Sequence, residues 1–92
     1  MTKVIHENGM QIKNEQFMLV KKSGAQGEAI QRHNHPGYSI LFTVVSGHVI
    51  ATLNDQEDFD LKPGEVLSFD GENFISAKFA QDSQVFITLI KQ

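Results

Sequence analysis

The 92-residue chain is 40% hydrophobic and 21% charged, the balance of a folded soluble domain with one core and little stability to spare. Eleven acidic against eight basic side chains give a formal charge of −3. That excludes the basic footprint of a nucleic-acid binder, and the absence of cysteine excludes disulfides, thiolate metal sites and cysteine nucleophiles.

In chain order, "MTKVIHENGM" has no apolar leader core, and no later run approaches the ~20 apolar residues of a membrane helix. A cytoplasmic protein without a membrane partner is expected. Turn signals then recur at Asn8-Gly9, 23–27, 35–37, Gly47, 54–58, 62–64, 70–73 and 81–84, at a spacing mostly of about 8–12 residues that suits short strands and leaves no room for helices. Between them, period-2 patterning predicts strands over Gln16–Lys21, Tyr38–Ser46, Val49–Leu53, Val66–Phe69, Phe74–Phe79 and Val85–Ile90. Several are apolar on both faces, as strands in a small closed sheet are. The class is all-β, a sandwich or barrel.

Three turns carry specific expectations. Pro36-Gly37 ends its segment and is expected to lay Tyr38–Ser46 alongside it. Pro63-Gly64 suits the centre of a type II turn between Asp60-Leu61 and Val66-Leu67, since proline pre-sets the first φ and glycine accepts a positive second φ. Asp70-Gly71 is a type I′ hairpin signal, predicting Val66–Phe69 and Asn73–Phe79 as antiparallel neighbours.

The chemistry concentrates at "QRHNHPGYSILFTVVSG", residues 31–47. On a strand His33 and His35 share a face, and Gln31 shares it with them. Cα atoms two residues apart lie about 6.6–6.8 Å from one another, close enough for two imidazoles to lean onto one ion. An H-x-H pair is as often a turn-edge feature as a ligand pair, so its neighbours decide its meaning.

Gly27 to His35 followed by the apolar strand to Gly47 resembles the first motif of the cupin family, G-x5-H-x-H-x3,4-E-x6-G, with both glycines and both histidines in register. "FDLKPGEVLSFDGENF", residues 59–74, resembles the family's second block, a Pro-Gly turn, a strand and a glycine-containing loop before a third histidine. The resemblance spans about Gly27 to Ile90 and implies a single-domain double-stranded β-helix, a small jelly-roll-like barrel, with a tendency to form homodimers. Counting back from Gly47 places Ile40 where the family carries its metal-binding glutamate. Counting from Gly71 places Phe74 at the third histidine, and counting from Gly64 places Ile75 there. All three are apolar. The resemblance further implies that Ile40 and Phe74 line the interior, with Phe42, Val44 and Ser76 following by alternation.

The expected function is a small cupin-like barrel that binds a small molecule, or a loosely held divalent metal such as Zn, Mn, Fe or Ni, near His33 and His35. Its pocket is expected to include Gln31, Ile40, Phe42, Phe74 and Ser76. A catalytic metal has at least three protein ligands, so efficient metal-dependent catalysis is not expected. Two alternatives stand beside this. One is a metal-dependent isomerase or dioxygenase in which Gln31, His48 or water completes the pair; the other is a fully packed barrel acting as an interaction module. His6 and His48 read as solvated, and Asp55, Glu57, Asp58 and Asp60 as a solvated acidic turn lacking the order of a calcium loop.

Overall fold

The computed structural model describes residues 2–92. Nine strands follow one another: β1 (Gly9–Lys13), β2 (Phe17–Gly24), β3 (Ala29–His33), β4 (Tyr38–Ser46), β5 (Val49–Leu53), β6 (Glu57–Leu61), β7 (Val66–Asp70), β8 (Ile75–Phe79) and β9 (Ser83–Lys91). They form two antiparallel sheets, a five-stranded one ordered β1-β2-β9-β4-β7 and a four-stranded one ordered β3-β8-β5-β6. This is the double-stranded β-helix. Among the described residues no helix is long and apolar enough to cross a membrane.

The predicted bounds of Tyr38–Ser46 and Val49–Leu53 coincide with β4 and β5. Their alternation also holds. Ile40, Phe42 and Val44 face inward and are at most 2% exposed, while Leu41, Thr43 and Val45 face outward. Phe42 and Val44 meet Val49, Ala51, Leu61, Ile75, Ala77, Phe79 and Val85 in one core between the sheets, so burial of these apolar faces drives the two layers together.

The chain changes sheet at most of its turns, and this overturns two pairings expected from local sequence. The Pro36-Gly37 turn closes with the Tyr38 N–H donating to the His35 carbonyl at 3.3 Å, and Gly37 takes φ +89°. Yet β4 does not lie along β3; it pairs with β7 and β9 in the other sheet. At Pro63-Gly64 the expected type II geometry is present: Gly64 has φ +89°, and the Glu65 N–H donates to the Lys62 carbonyl at 3.0 Å. This turn too carries the chain between sheets, from β6 to β7.

The Asp70-Gly71 hairpin is corrected outright. β7 pairs with β4, and β8 pairs with β3 and β5. Gly71 does not take the positive φ that a type I′ turn requires. The loop closes instead with the Asn73 N–H on the Asp70 carbonyl at 3.0 Å and the Glu72 N–H on Asp70 Oδ1 at 2.9 Å. Glycine is needed here for a different reason: a β-carbon at 71 would collide with the carbonyl oxygens of His35 and Tyr38. The primed turn lies elsewhere. Asn54 and Asp55 have φ +54° and +58° and join β5 to β6 as a hairpin, a conformation that Asn and Asp tolerate better than other non-glycine residues.

Candidate ligand-binding site

The histidine pair is positioned by an irregularity in β3. Ile30 stands opposite Ala77 and His33 opposite Ile75, so three steps along β3 match two along β8. The extra residue is a β-bulge, which re-aims side chains locally. Ile30 and His33 consequently face the same side, inward, while Gln31 and Arg32 both turn out to solvent. Strict alternation had placed Gln31 on the histidine face; the bulge removes it, and its side chain lies on the outer surface of the four-stranded sheet.

The main chain of Gln31 still serves the site. His33 Nδ1 lies 2.6 Å from the Gln31 carbonyl oxygen, and because a carbonyl only accepts, that nitrogen is the donor and carries a proton. His35 lies beyond the strand. Its N–H donates to the Gly71 carbonyl at 2.8 Å, and the Gly71 N–H donates to the Tyr38 carbonyl at 2.7 Å. The close approach at Gly71 thus anchors the segment that bears His35. The two rings meet edge to face, with centroids 4.9 Å apart. Partial burial, and secondarily the neighbouring His33, lower the pKa of His35 below its ordinary value of 6.5, favouring the neutral ring.

Both rings open onto a chamber of about 360 Å³. Its apolar wall is Met10, Met18, Val20, Ile30, Ile87 and Leu89, and its remaining lining is Lys22, His33 and His35. The wall comes largely from β1, β2 and β9. Its alternating faces were legible in the sequence, with Met18 and Val20 on one side of their strand and Ile87 and Leu89 on one side of theirs. Their joint position was not, because it depends on the register that sets Met18 against Leu89 and Val20 against Ile87.

The remaining expected pocket residues are distributed differently. Ile40 and Phe42 face inward as expected, but they fill the interior and do not line this chamber. On β8 the inward residues are Ile75, Ala77 and Phe79, which selects Ile75 over Phe74 as the residue facing the histidines. Phe74 lies half-buried on the outside with the Arg32 guanidinium carbon 4.0 Å from its ring centre. Ser76 shares the outer face with Thr52, its partner across the ladder. The reason is one of register: Ile75 stands opposite inward His33 and Ala77 opposite buried Ala51, and a slip of one residue would exchange the two faces.

His48 pairs with Asp60 through Nε2, on the outer side of the four-stranded sheet, and His6 is exposed. The acidic turn is exposed too, with Asp55 bound to Arg32 Nε at 2.7 Å and Asp58 accepting from Thr52 Oγ1 at 2.7 Å.

The description of a cupin domain matches residues 23–74, more than half of the chain. The chain belongs to the cupin family. None of the curated proteins matches it. Among solved structures, the cupin fold here is similar to an RmlC-like cupin from Desulfovibrio desulfuricans, with a TM-score of 0.83 and 17% identity over 89% of this chain and 78% of that one. It is similar to an RmlC-like cupin with a double-stranded β-helix fold from Methanocaldococcus jannaschii, with a TM-score of 0.82 and 15% identity over 90% and 77% of the two chains. KdgF from a Halomonas species gives a TM-score of 0.80 and 20% identity over 90% of this chain and 76% of that one. At these identities the likeness concerns the fold.

The donor set of this cupin does not fit a resident catalytic metal. Two neighbouring imidazoles can converge on one ion, but among the described residues no group of three His, Cys, Asp or Glu side chains is placed to hold one. A catalytic site of this type needs at least three protein ligands. Of the residues weighed as further ligands, Ile40 and Ile75 are buried hydrocarbon, and Gln31 and His48 face other surroundings.

Proposed function

We propose that this cupin binds a small, largely apolar molecule in the chamber beside His33 and His35, the two rings serving as polar contacts to the ligand. One observation carries the reading: a wall of six aliphatic and thioether side chains shares one cavity with two adjacent imidazoles and Lys22. A concave, mostly apolar cavity with a few convergent polar groups is the usual form of a small-molecule site. The pair reads as half of the family's ligand set, retained without its acidic and third histidine partners. A divalent ion held by the two imidazoles alone would bind weakly and exchange readily, and it forms the second occupant that the pair admits.

The test is a titration with Zn(II), Mn(II) and Ni(II) alongside a fragment screen, followed through the methyl signals of Met10 and Met18 and the ring signals of His33 and His35. The reading expects fragments that shift both sets, and metal that is lost on dialysis against chelator. Stoichiometric metal surviving that dialysis would overturn it.

Self-association belongs to the same proposal. The outer face of the five-stranded sheet carries the rows Ile12–Leu19–Thr88–Leu41–Ser68 and Lys21–Phe86–Thr43–Val66. Val45, Val66 and Ile90 are 45%, 50% and 40% exposed. Five strands at about 4.8 Å spacing and of about 17–30 Å length present on the order of 600 Å² per copy, or about 1,200 Å² when two faces meet, the lower bound for a stable interface. A second copy of this chain, packed face to face, is the occupant that we propose.

A further inference from the structure

The charge of the chamber runs against the charge of the chain. The protein carries eleven Asp and Glu against eight Lys and Arg, yet among the described residues no carboxylate lines the cavity, and its three polar side chains there, Lys22, His33 and His35, are nitrogenous. Lys22 is exposed and brings an ammonium group to the lining.

Resting on the reading of this cavity as a ligand site, we propose that the chamber selects an amphipathic anion, a short aliphatic carboxylate, with its head at Lys22 and its chain against the apolar wall that begins beside it at Val20 and Ile87. A cationic ligand would find a positive rim and no counter-charge. A neutral ligand of the same shape would gain the wall alone. Charge-assisted hydrogen bonds are about twice as strong as neutral ones, so the head group decides among ligands that fill the wall equally.

The experiment titrates the full chain with hexanoate, hexanamide and hexylammonium, which share one chain and differ in charge, using calorimetry and the Met10 and Met18 methyl signals. Hexanoate is expected to bind about tenfold more tightly than hexanamide, the discrimination of one good charge-assisted contact, with hexylammonium weakest. Lys22→Met should bring hexanoate down to the affinity of hexanamide, and Lys78→Met, on the outer face of the other sheet, should leave the tenfold preference intact. Equal binding of hexanoate and hexanamide would overturn the anion preference while leaving the apolar site standing. If none of the three moves the methyl signals, the site itself is refuted.

Discussion

His33 stands directly across the β3–β8 ladder from Ile75, so a buried hydrocarbon side chain is its cross-strand neighbour. Residues opposed in an antiparallel ladder have β-carbons about 4.5–5.5 Å apart, so an imidazole introduced at position 75 would stand beside His33. Ile75→His should therefore raise Ni(II) or Zn(II) affinity at least about tenfold over the wild type, each added ligand strengthening a divalent site. Burying the new ring at a position now 4% exposed should cost about 1–3 kcal/mol of stability without metal. Competition titration with a chromogenic chelator and urea unfolding measure the two effects, and unchanged metal affinity would show that position 75 does not face the pair.

Acid should destabilise the protein through His35. Its pKa is lowered on folding, chiefly by burial, so just below pH 6.5 the unfolded chain binds more protons than the folded one. Stability then rises with pH in that window; equivalently, it declines as pH falls below 6.5 and the loss levels off beneath the folded pKa. Urea midpoints at pH 7.5, 6.5 and 5.5 should show this decline in the wild type and a shallower one in His35→Gln. The ring signals of His35 should titrate with a midpoint below the ordinary 6.5.

The phase of β8 can be tested by truncation. Ile75→Ala removes a core side chain and should cost about 2–5 kcal/mol. Phe74→Ala removes an outer ring beneath Arg32 and should cost about 1 kcal/mol, the scale of an exposed cation–π contact. The reverse order in thermal melts would restore Phe74 to the interior.

Two glycines should fail differently. At Gly64 a β-carbon meets open space, so Gly64→Ala carries only the left-handed backbone penalty of about 1–2 kcal/mol, and the histidine signals should stay in place. At Gly71 the new carbon meets backbone, which cannot rotate away. Gly71→Ala should cost about 3 kcal/mol or more and shift the ring signals of His35, whose N–H the Gly71 carbonyl holds.

Thr88 lies at the centre of the outer row, between Leu19 and Leu41. Thr88→Glu should turn the proposed dimer into a monomer by sedimentation velocity while leaving the melting curve at low concentration nearly unchanged. A wild-type chain that sediments as a monomer across concentrations would remove the interface.

The sequence alone determined the all-β class, the bounds of β4 and β5, the inward faces of Ile40, Phe42 and Val44, and the type II turn at Pro63-Gly64. It also carried the resemblance to the cupin family, which the match over residues 23–74 bears out. These depend on neighbours within a few residues: side chains alternate along a strand, and a proline or glycine biases φ wherever it occurs. Which strand each turn leads to was decided only by the tertiary structure. The same Pro-Gly or Asp-Gly pair can close a hairpin or cross between sheets, and the choice follows from how two apolar faces cover each other across the core. The tertiary structure also set the bulge that turns Gln31 away, the phase that brings Ile75 and not Phe74 opposite His33, and the meeting of Met18, Val20, Ile87 and Leu89 around the histidines. Each of these is a matter of register, and a slip of one residue between distant strands exchanges inside for outside without changing any local pattern.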